Sequence, residues 1–237
     1  MGSGSNANFD GIVNALRAAV PLLREAEIPF ALGGSMAVWA YGGPEPTNDL
    51  DLMLRAEDAE RALHALAAAG MRTEHPPEEW LVKAWHGDVL IDLIFGPRGL
   101  PITDEVLARG VERSLSALRV PVMALEDVLT TKLLSLDEHQ LDLSWLLQIS
   151  RAVREQVDWE ALRARTDHSP YAAAFFTLVE RLGIIAEERI PERLVGQWAA
   201  RARLPPAPPP PTGRLPGEAR ASDLPRGRSC QTERATD

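Results

Sequence analysis

The sequence predicts an α+β fold: a mixed sheet with helices in an N-terminal domain, followed by a C-terminal helical bundle. Three observations carry this. Apolar residues recur at helical spacing in residues 9–27 and 57–69. Short apolar runs at 28–32, 49–54 and 88–95 have the length of strands and are bounded by glycine, proline or asparagine. From Ala124 onward the strand-like runs give way to helical periodicity.

Taken in order, residues 9–27 place Ile12, Val13, Leu16, Ala19, Val20 and Leu23 on one helical face, with Pro21 marking a kink or boundary. Residues 28–32 read as a buried strand broken by Gly33 and Gly34. Ser35 is placed to cap the helix over 36–41, and 42–48 form a loop rich in glycine and proline. Residues 57–69 form a second amphipathic helix with Gly70 as its C-cap. A short strand over 71–74 and a His75-Pro76-Pro77 turn lead to a hairpin of 80–85 and 88–95, joined by His86-Gly87. Trp80 and Trp85 read there as packing residues rather than stacking platforms. Residues 103–108 make a helical turn or two, and 117–123 a last strand that Pro121 places at an edge.

Residues 126–136 form an apolar helix containing Lys132. Helical patterns continue over 143–157, 158–165, 172–182 and 191–203, with Pro170 opening one of them. Arg151, Arg154, Arg163 and Arg165 either line a cleft wall or lie on a solvated face. Beyond Leu204 the chain is rich in proline and predicts disorder. The domain reading is therefore an appended leader over 1–7, a catalytic domain over 8–123, a helical domain over 124–204 and a Pro/Arg-rich tail over 205–237.

Composition narrows the function classes. The chain has 237 residues, 45% of them hydrophobic, enough for a core. A formal net charge of −9 excludes a uniformly basic nucleic-acid binder, though not a local basic groove. Cys230 is the only cysteine, which excludes a disulfide framework and a cysteine-built zinc site. His64, His75, His86, His139 and His168 lack metal-ligand spacing. No apolar run reaches membrane length and no signal peptide is evident, so the expected location is cytoplasmic, with no membrane partner.

The chemistry concentrates between Leu32 and Leu54. A glycine turn opening a helix, as at Gly33-Gly34-Ser35, presents free backbone N–H groups with the helix dipole behind them, an anion site suited to phosphate. Asp49 and Asp51, two apart on a strand, project to one face. Adjacent carboxylates repel unless neutralised, and oxygen-only ligands suit Mg²⁺ or Mn²⁺. Asp92, inside the apolar run 89–95, is costly to bury without a partner, either a shared metal or an arginine.

This order of strand, Gly33-Gly34-Ser35, helix, turn and Asp49-x-Asp51 resembles the signature of the nucleotidyltransferase superfamily that includes DNA polymerase beta. Asp92 stands as the third carboxylate on a later strand. The resemblance implies transfer of a nucleoside monophosphate from an NTP to a hydroxyl, with two metal ions held by Asp49, Asp51 and Asp92. It also implies that Gly33, Gly34, Ser35 and Thr47 contact the nucleotide. Relatives commonly carry Arg-x-Thr before the acidic pair; Thr47 matches, but Glu45 replaces the arginine and would repel phosphate. Lys132, in Leu129-Thr130-Thr131-Lys132-Leu133-Leu134, is similar to a phosphate-contacting lysine of the abortive-infection, toxin-type branch, and so joins the implied catalytic residues. A lysine stem lying on apolar surface is the alternative. Asp142 stands either for that branch's later acid or for a helix N-cap.

Three acceptor readings stay open. A toxin-type enzyme would modify the 3′ end of tRNA and would have an antitoxin partner. A small-molecule enzyme would modify a hydroxylated aminoglycoside-like or lincosamide-like compound, which suits the acidic chain. A nucleotide-binding module without catalysis is suggested by Glu45 and opposed by the intact triad.

Overall fold

The computed structural model describes residues 3–46, 49–97 and 100–185. Thr47, the helix expected over 191–203 and the tail over 205–237 lie outside the described residues. Those described belong to one compact unit, Met1–Glu188.

Helix α1 (Ser3–Glu25) begins inside the stretch read as a leader and buries Ile12, Leu16, Ala19, Val20 and Leu23. Each of its large apolar side chains gains roughly 1.5–3 kcal/mol on leaving water. Pro21 does not end the helix. Proline removes the N–H that would bond the carbonyl of Arg17, but both residues are exposed and that side of the helix faces water. Strand β1 (Phe30–Leu32) is wholly buried, and helix α2 (Gly34–Ala40) follows directly. Strand β2 (Leu50–Leu54) comes next, then a 3-10 turn (Ala56–Asp58) and helix α3 (Ala59–Ala68). Gly70, at φ +85°, follows the end of α3 in the left-handed conformation expected of a C-terminal glycine.

Strand β3 (Arg72–Glu74) leads to the hairpin of β4 (Leu81–His86) and β5 (Val89–Ile94). Its turn is Gly87-Asp88, one residue later than expected, because Gly87 supplies the positive φ of +61°. Helix α4 (Asp104–Ala108) is capped by Thr103. Strands β6 (Val111–Leu115) and β7 (Leu118–Val122) then form a hairpin around Ser116-Ala117. Helices α5 (Leu125–Leu134), α6 (Leu143–Val153), α7 (Trp159–Thr166) and α8 (Pro170–Arg181) complete the described residues.

The seven strands form one mixed sheet in the order β3-β4-β5-β2-β1-β7-β6. The α+β expectation thus holds, with two corrections. Strand β6 was not anticipated. Strand β7 is not an edge, since β6 covers one side and β1 the other. Pro121 is tolerated there because β7 pairs with β1 at the single position Leu32↔Val122.

Helix α5 packs against α2, α7 and α8, which joins the helices to the sheet. Its buried Asp127 accepts two hydrogen bonds from Arg109, both 2.9 Å, and one from Arg165 at 2.8 Å. A buried carboxylate needs this degree of pairing to be tolerated. Among the described residues no helix is long and apolar enough to cross a membrane.

Candidate active site

The geometry of the site follows from one register. Strands β2 and β5 pair in parallel with Asp51 opposite Asp92. Cα partners on neighbouring strands present their side chains to the same face. Asp49, immediately before β2, joins them two residues from Asp51. One carboxylate oxygen from each of Asp49, Asp51 and Asp92 lies within 4.8 Å of the other two. Asp92 is only 9% exposed, and its Oδ1 is buried without a hydrogen-bond partner. No arginine partners it, so of the two explanations open for this acid the ion pair with arginine is absent among the described residues.

Burial and crowding shift both inner carboxyls upward. Burial, then Asp49 and Asp92, raise Asp51 from 3.8 to about 7, against the pull of Lys132 and of the Ser35 backbone N–H. Burial raises Asp92 to about 6, Asp49 and Glu78 add to the rise, and Lys83 opposes it. Lys83 sits directly across from Asp92 in the β4–β5 register. Three acids collected in so small a space are hard oxygen donors that repel each other. Mg²⁺ or Mn²⁺ fits that donor set and would relieve both the repulsion and the orphaned Asp92 oxygen.

The glycine turn is built around Asp51. The Gly33 N–H donates to the Asp51 carbonyl at 2.9 Å, extending the β1–β2 pairing. Gly34 adopts φ +51°, and a Cβ on it would overlap Asp51 Oδ2 and lie 2.5 Å from Cγ. Only glycine lets the backbone pass this close to the carboxylate. Ser35 is not the N-cap: Gly33 holds that position, and Ser35 falls inside the first turn of α2. Its N–H is engaged by the Asp51 carboxylate, so this amide is not free in the way the turn suggested.

In front of the acids lies a cleft of about 460 Å³ lined by Ser35, Glu45, Pro46, Asp49, Asp51, Lys132, Asp142 and Trp145. Lys132 therefore reaches the site from α5, with its ammonium 5.2 Å from the centre of the Trp145 indole. Asp142 satisfies both of its readings: it caps α6 through the Ser144 N–H at 3.0 Å and also borders the cleft. Glu45 faces the cleft as well.

The four arginines considered for a cleft wall do not line it. Arg163 pairs with Glu180, Arg165 with Asp127 and Arg154 with Glu155, and Arg151 is exposed. Neither Trp80 nor Trp85 borders the cleft, and Arg72 stacks on Trp85 at 3.5 Å. Sequence reasoning missed Trp145 and Lys83. Trp145 sits on an apolar helix where an aromatic reads as core; its one signal is a position three residues after Asp142, on the same face. Lys83 is one of only two lysines in the chain.

A family model described as an uncharacterised nucleotidyltransferase matches residues 10–180. A crystal structure of ANT(2'')-Ia in complex with adenylyl-2''-tobramycin is 17% identical, with a TM-score of 0.50, covering 70% of this chain and 97% of that one. A solution structure of the same antibiotic-resistance factor is 18% identical, with a TM-score of 0.52, covering 68% and 94%. At these identities the likeness is one of fold. Comparison with curated proteins gives no match.

Proposed function

The chain belongs to the nucleotidyltransferase family whose model spans residues 10–180, and from that premise we propose that it moves a nucleoside monophosphate from an NTP to a hydroxyl of a small amine-bearing molecule. The observation that carries the reaction type is the carboxylate triad with its unpartnered Asp92 oxygen. The acceptor class is supported by charge. Among the described residues the cleft is lined by the acids Glu45, Asp49, Asp51 and Asp142 and the single cation Lys132, which suits a cationic acceptor and sits poorly with RNA. ANT(2'')-Ia, with the same fold, was crystallised with adenylylated tobramycin, a product of this class.

Asp49, Asp51 and Asp92 would hold Mg²⁺ or Mn²⁺, which when bound offsets the triphosphate charge and acidifies the acceptor hydroxyl. The chain's own groups do the rest. Ser35 and the Gly34 turn border the triphosphate. The acceptor oxygen bonds to the α-phosphorus, the bond to the bridging oxygen breaks, and pyrophosphate leaves. The hydroxyl proton passes to Asp92 on the β5 side. Lys132 offsets charge on the departing pyrophosphate. Glu45, where relatives have arginine, weakens the grip on the triphosphate and favours an acceptor that brings its own positive charge.

A second reading, transfer to the 3′ end of tRNA, is supported by the position of Lys132 on α5 at the cleft. Incubation with each labelled NTP and Mg²⁺, against a panel of amino-alcohol antibiotics and total tRNA, separates the two. Label in the antibiotics is the expected result. Label in tRNA selects the toxin-type reading. Nucleotide binding without transfer selects a binding module, and transfer that persists in excess EDTA contradicts the metal site.

A further inference from the structure

The strand registers place four charged side chains in one row across the sheet: Glu74 on β3, Lys83 on β4, Asp92 on β5 and Asp51 on β2. Neighbouring strands lie about 4.8 Å apart. Lys83 therefore stands one strand beyond Asp92, on the side away from the glycine turn that follows β1. It is the strongest charge acting on the Asp92 carboxyl, ahead of Asp49 and Glu78. Its ammonium forms no ion pair among the described residues. Glu74, its neighbour on β3, pairs instead with Arg72 at 3.8 Å.

Helices α1 and α3 pack against β4 and β5, over the face that buries Ala84, Ile91 and Leu93. The opposite face keeps Lys83, Trp85 and Leu90 partly exposed. A molecule reaching Asp92 across this face passes Lys83, and Arg72, stacked on Trp85, sets a second cation behind it. We infer that Lys83 selects which hydroxyl of an amine-bearing acceptor reacts. It refuses a hydroxyl whose adjacent carbon carries an ammonium group and admits one whose amine lies several bonds away. The inference rests on the transfer reading of the cleft.

Three features support it. The first is direction. Attacking and leaving oxygens lie roughly in line through the phosphorus. With the pyrophosphate assigned to the Gly34 turn, Ser35 and Lys132, the hydroxyl comes from the far side of the triad. In sheet order that side is β5 and then β4. The second is repulsion. An ammonium one carbon from that hydroxyl shares the space beside Asp92 with the Lys83 ammonium. Like charges near a protein surface repel more strongly than in bulk water. The third is contrast. Glu45 and Asp142 border the cleft, which Lys83 does not line, so acids are available to an amine remote from the reacting oxygen. Charge around the site is thus divided, with a cation beside the reacting hydroxyl and carboxylates farther off.

The test uses two isomeric probes with one hydroxyl each, trans-2-aminocyclohexanol and trans-4-aminocyclohexanol, with labelled NTP and Mg²⁺. The proteins are wild type, Lys83→Met, Lys83→Gln and Lys83→Arg, and the readout is the ratio of kcat/KM for the 4-amino over the 2-amino isomer. This ratio is independent of the fraction of protein folded. Any intrinsic difference between the two hydroxyls is common to all four proteins, so the change in ratio reports Lys83 alone. The expected result is a ratio that drops roughly tenfold in Lys83→Met and Lys83→Gln, the scale of one screened like-charge contact. Lys83→Arg should keep the wild-type ratio. An unchanged ratio in the two charge-free variants overturns the inference and leaves the transfer reading standing. A drop in Lys83→Arg equal to theirs also overturns it, because charge would then not be the selector. Charge-free variants that fold by circular dichroism yet transfer to neither isomer overturn it too, since Lys83 would then serve the chemistry itself. If wild type transfers to neither isomer, the amine-bearing acceptor reading fails and the inference falls with it.

Discussion

Replacing Asp51 with asparagine should make the metal-free protein more stable while removing its chemistry. The folded protein holds the Asp51 carboxyl at about 7, against 3.8 for the free side chain, chiefly through burial and then through Asp49. A carboxyl raised in the folded state contributes stability that is complete below pH 3.8 and is lost as pH rises through about 7. Above that range the ionised group costs the fold roughly 4 kcal/mol relative to a neutral one. Because Asp49 and Asp92 share the repulsion, removing one charge lets the others relax, and about 2 kcal/mol is a fairer figure for the net gain. The asparagine oxygen can still accept from the Ser35 N–H, and its amide donates toward the remaining acids. In a protein of this size the gain corresponds to a melting temperature higher by roughly 4–8 °C near pH 8 in EDTA. Near pH 5, where folded Asp51 is protonated but the unfolded chain already ionises it, the gain should fall to roughly a third, and below about pH 3.8 it should vanish. Adding Mg²⁺ should then raise the wild-type midpoint and leave the variant's unmoved, with nucleotidyl transfer abolished. Scanning calorimetry at the two pH values, with and without metal, reads all of this. An Asp51→Asn protein that melts below wild type at the higher pH in EDTA, with unchanged circular dichroism, refutes the reasoning.

Other outcomes follow from the same geometry. Gly34→Ala adds a Cβ that overlaps Asp51 Oδ2 at a backbone φ of +51°, so Mn²⁺ affinity by paramagnetic titration should fall at least about tenfold, with roughly 1–2 kcal/mol of stability lost to backbone strain. Gly42→Ala, at φ +90° with nothing within 4 Å, should lose similar stability in a denaturant titration and keep its metal affinity. Metal binding should weaken as pH drops below about 7 and again below about 6, where Asp51 and Asp92 take up protons that the ion must displace; calorimetry in buffers of different ionisation enthalpy should count those protons. Asp127→Ala removes a buried carboxylate shared by Arg109 and Arg165. It should cost about 2–4 kcal/mol in denaturant unfolding, at the low end of that range if the two partly exposed arginines find water.

Legibility in the sequence varied with the range of the interactions involved. Asp49 and Asp51 could be paired from spacing alone because strand geometry places alternate residues together. Asp92 was recognisable as an anomaly, an acid among apolar neighbours. That it faces Asp51 depends on a parallel register between strands separated by a 3-10 turn, helix α3 and strands β3 and β4, which no local pattern encodes. Strand β6 escaped because its exposed VERS stretch lacks an apolar alternation, and because its turn uses Ser116 and Ala117 at φ +49° and +67° in place of Asn-Gly. Pro121 pointed to an edge because local reasoning assumes every central strand pairs fully on both sides. The cap misassigned to Ser35 has a similar origin: the Asp51 carboxylate competes for the turn's amides, and that competitor comes from a different strand. Arg154, Arg163 and Arg165, set against a cleft wall, pair with acids elsewhere, a matter of helix packing that periodicity does not reveal.

The most direct measurement is the position of Mn²⁺ by anomalous scattering in a crystal grown with a non-hydrolysable NTP. The expected result is anomalous density within ligand distance of the carboxylates of Asp49, Asp51 and Asp92, with triphosphate oxygens completing the coordination. A nucleotide bound with its metal elsewhere, or a triad that stays empty while Asp92 turns to a protein partner, contradicts the central claim.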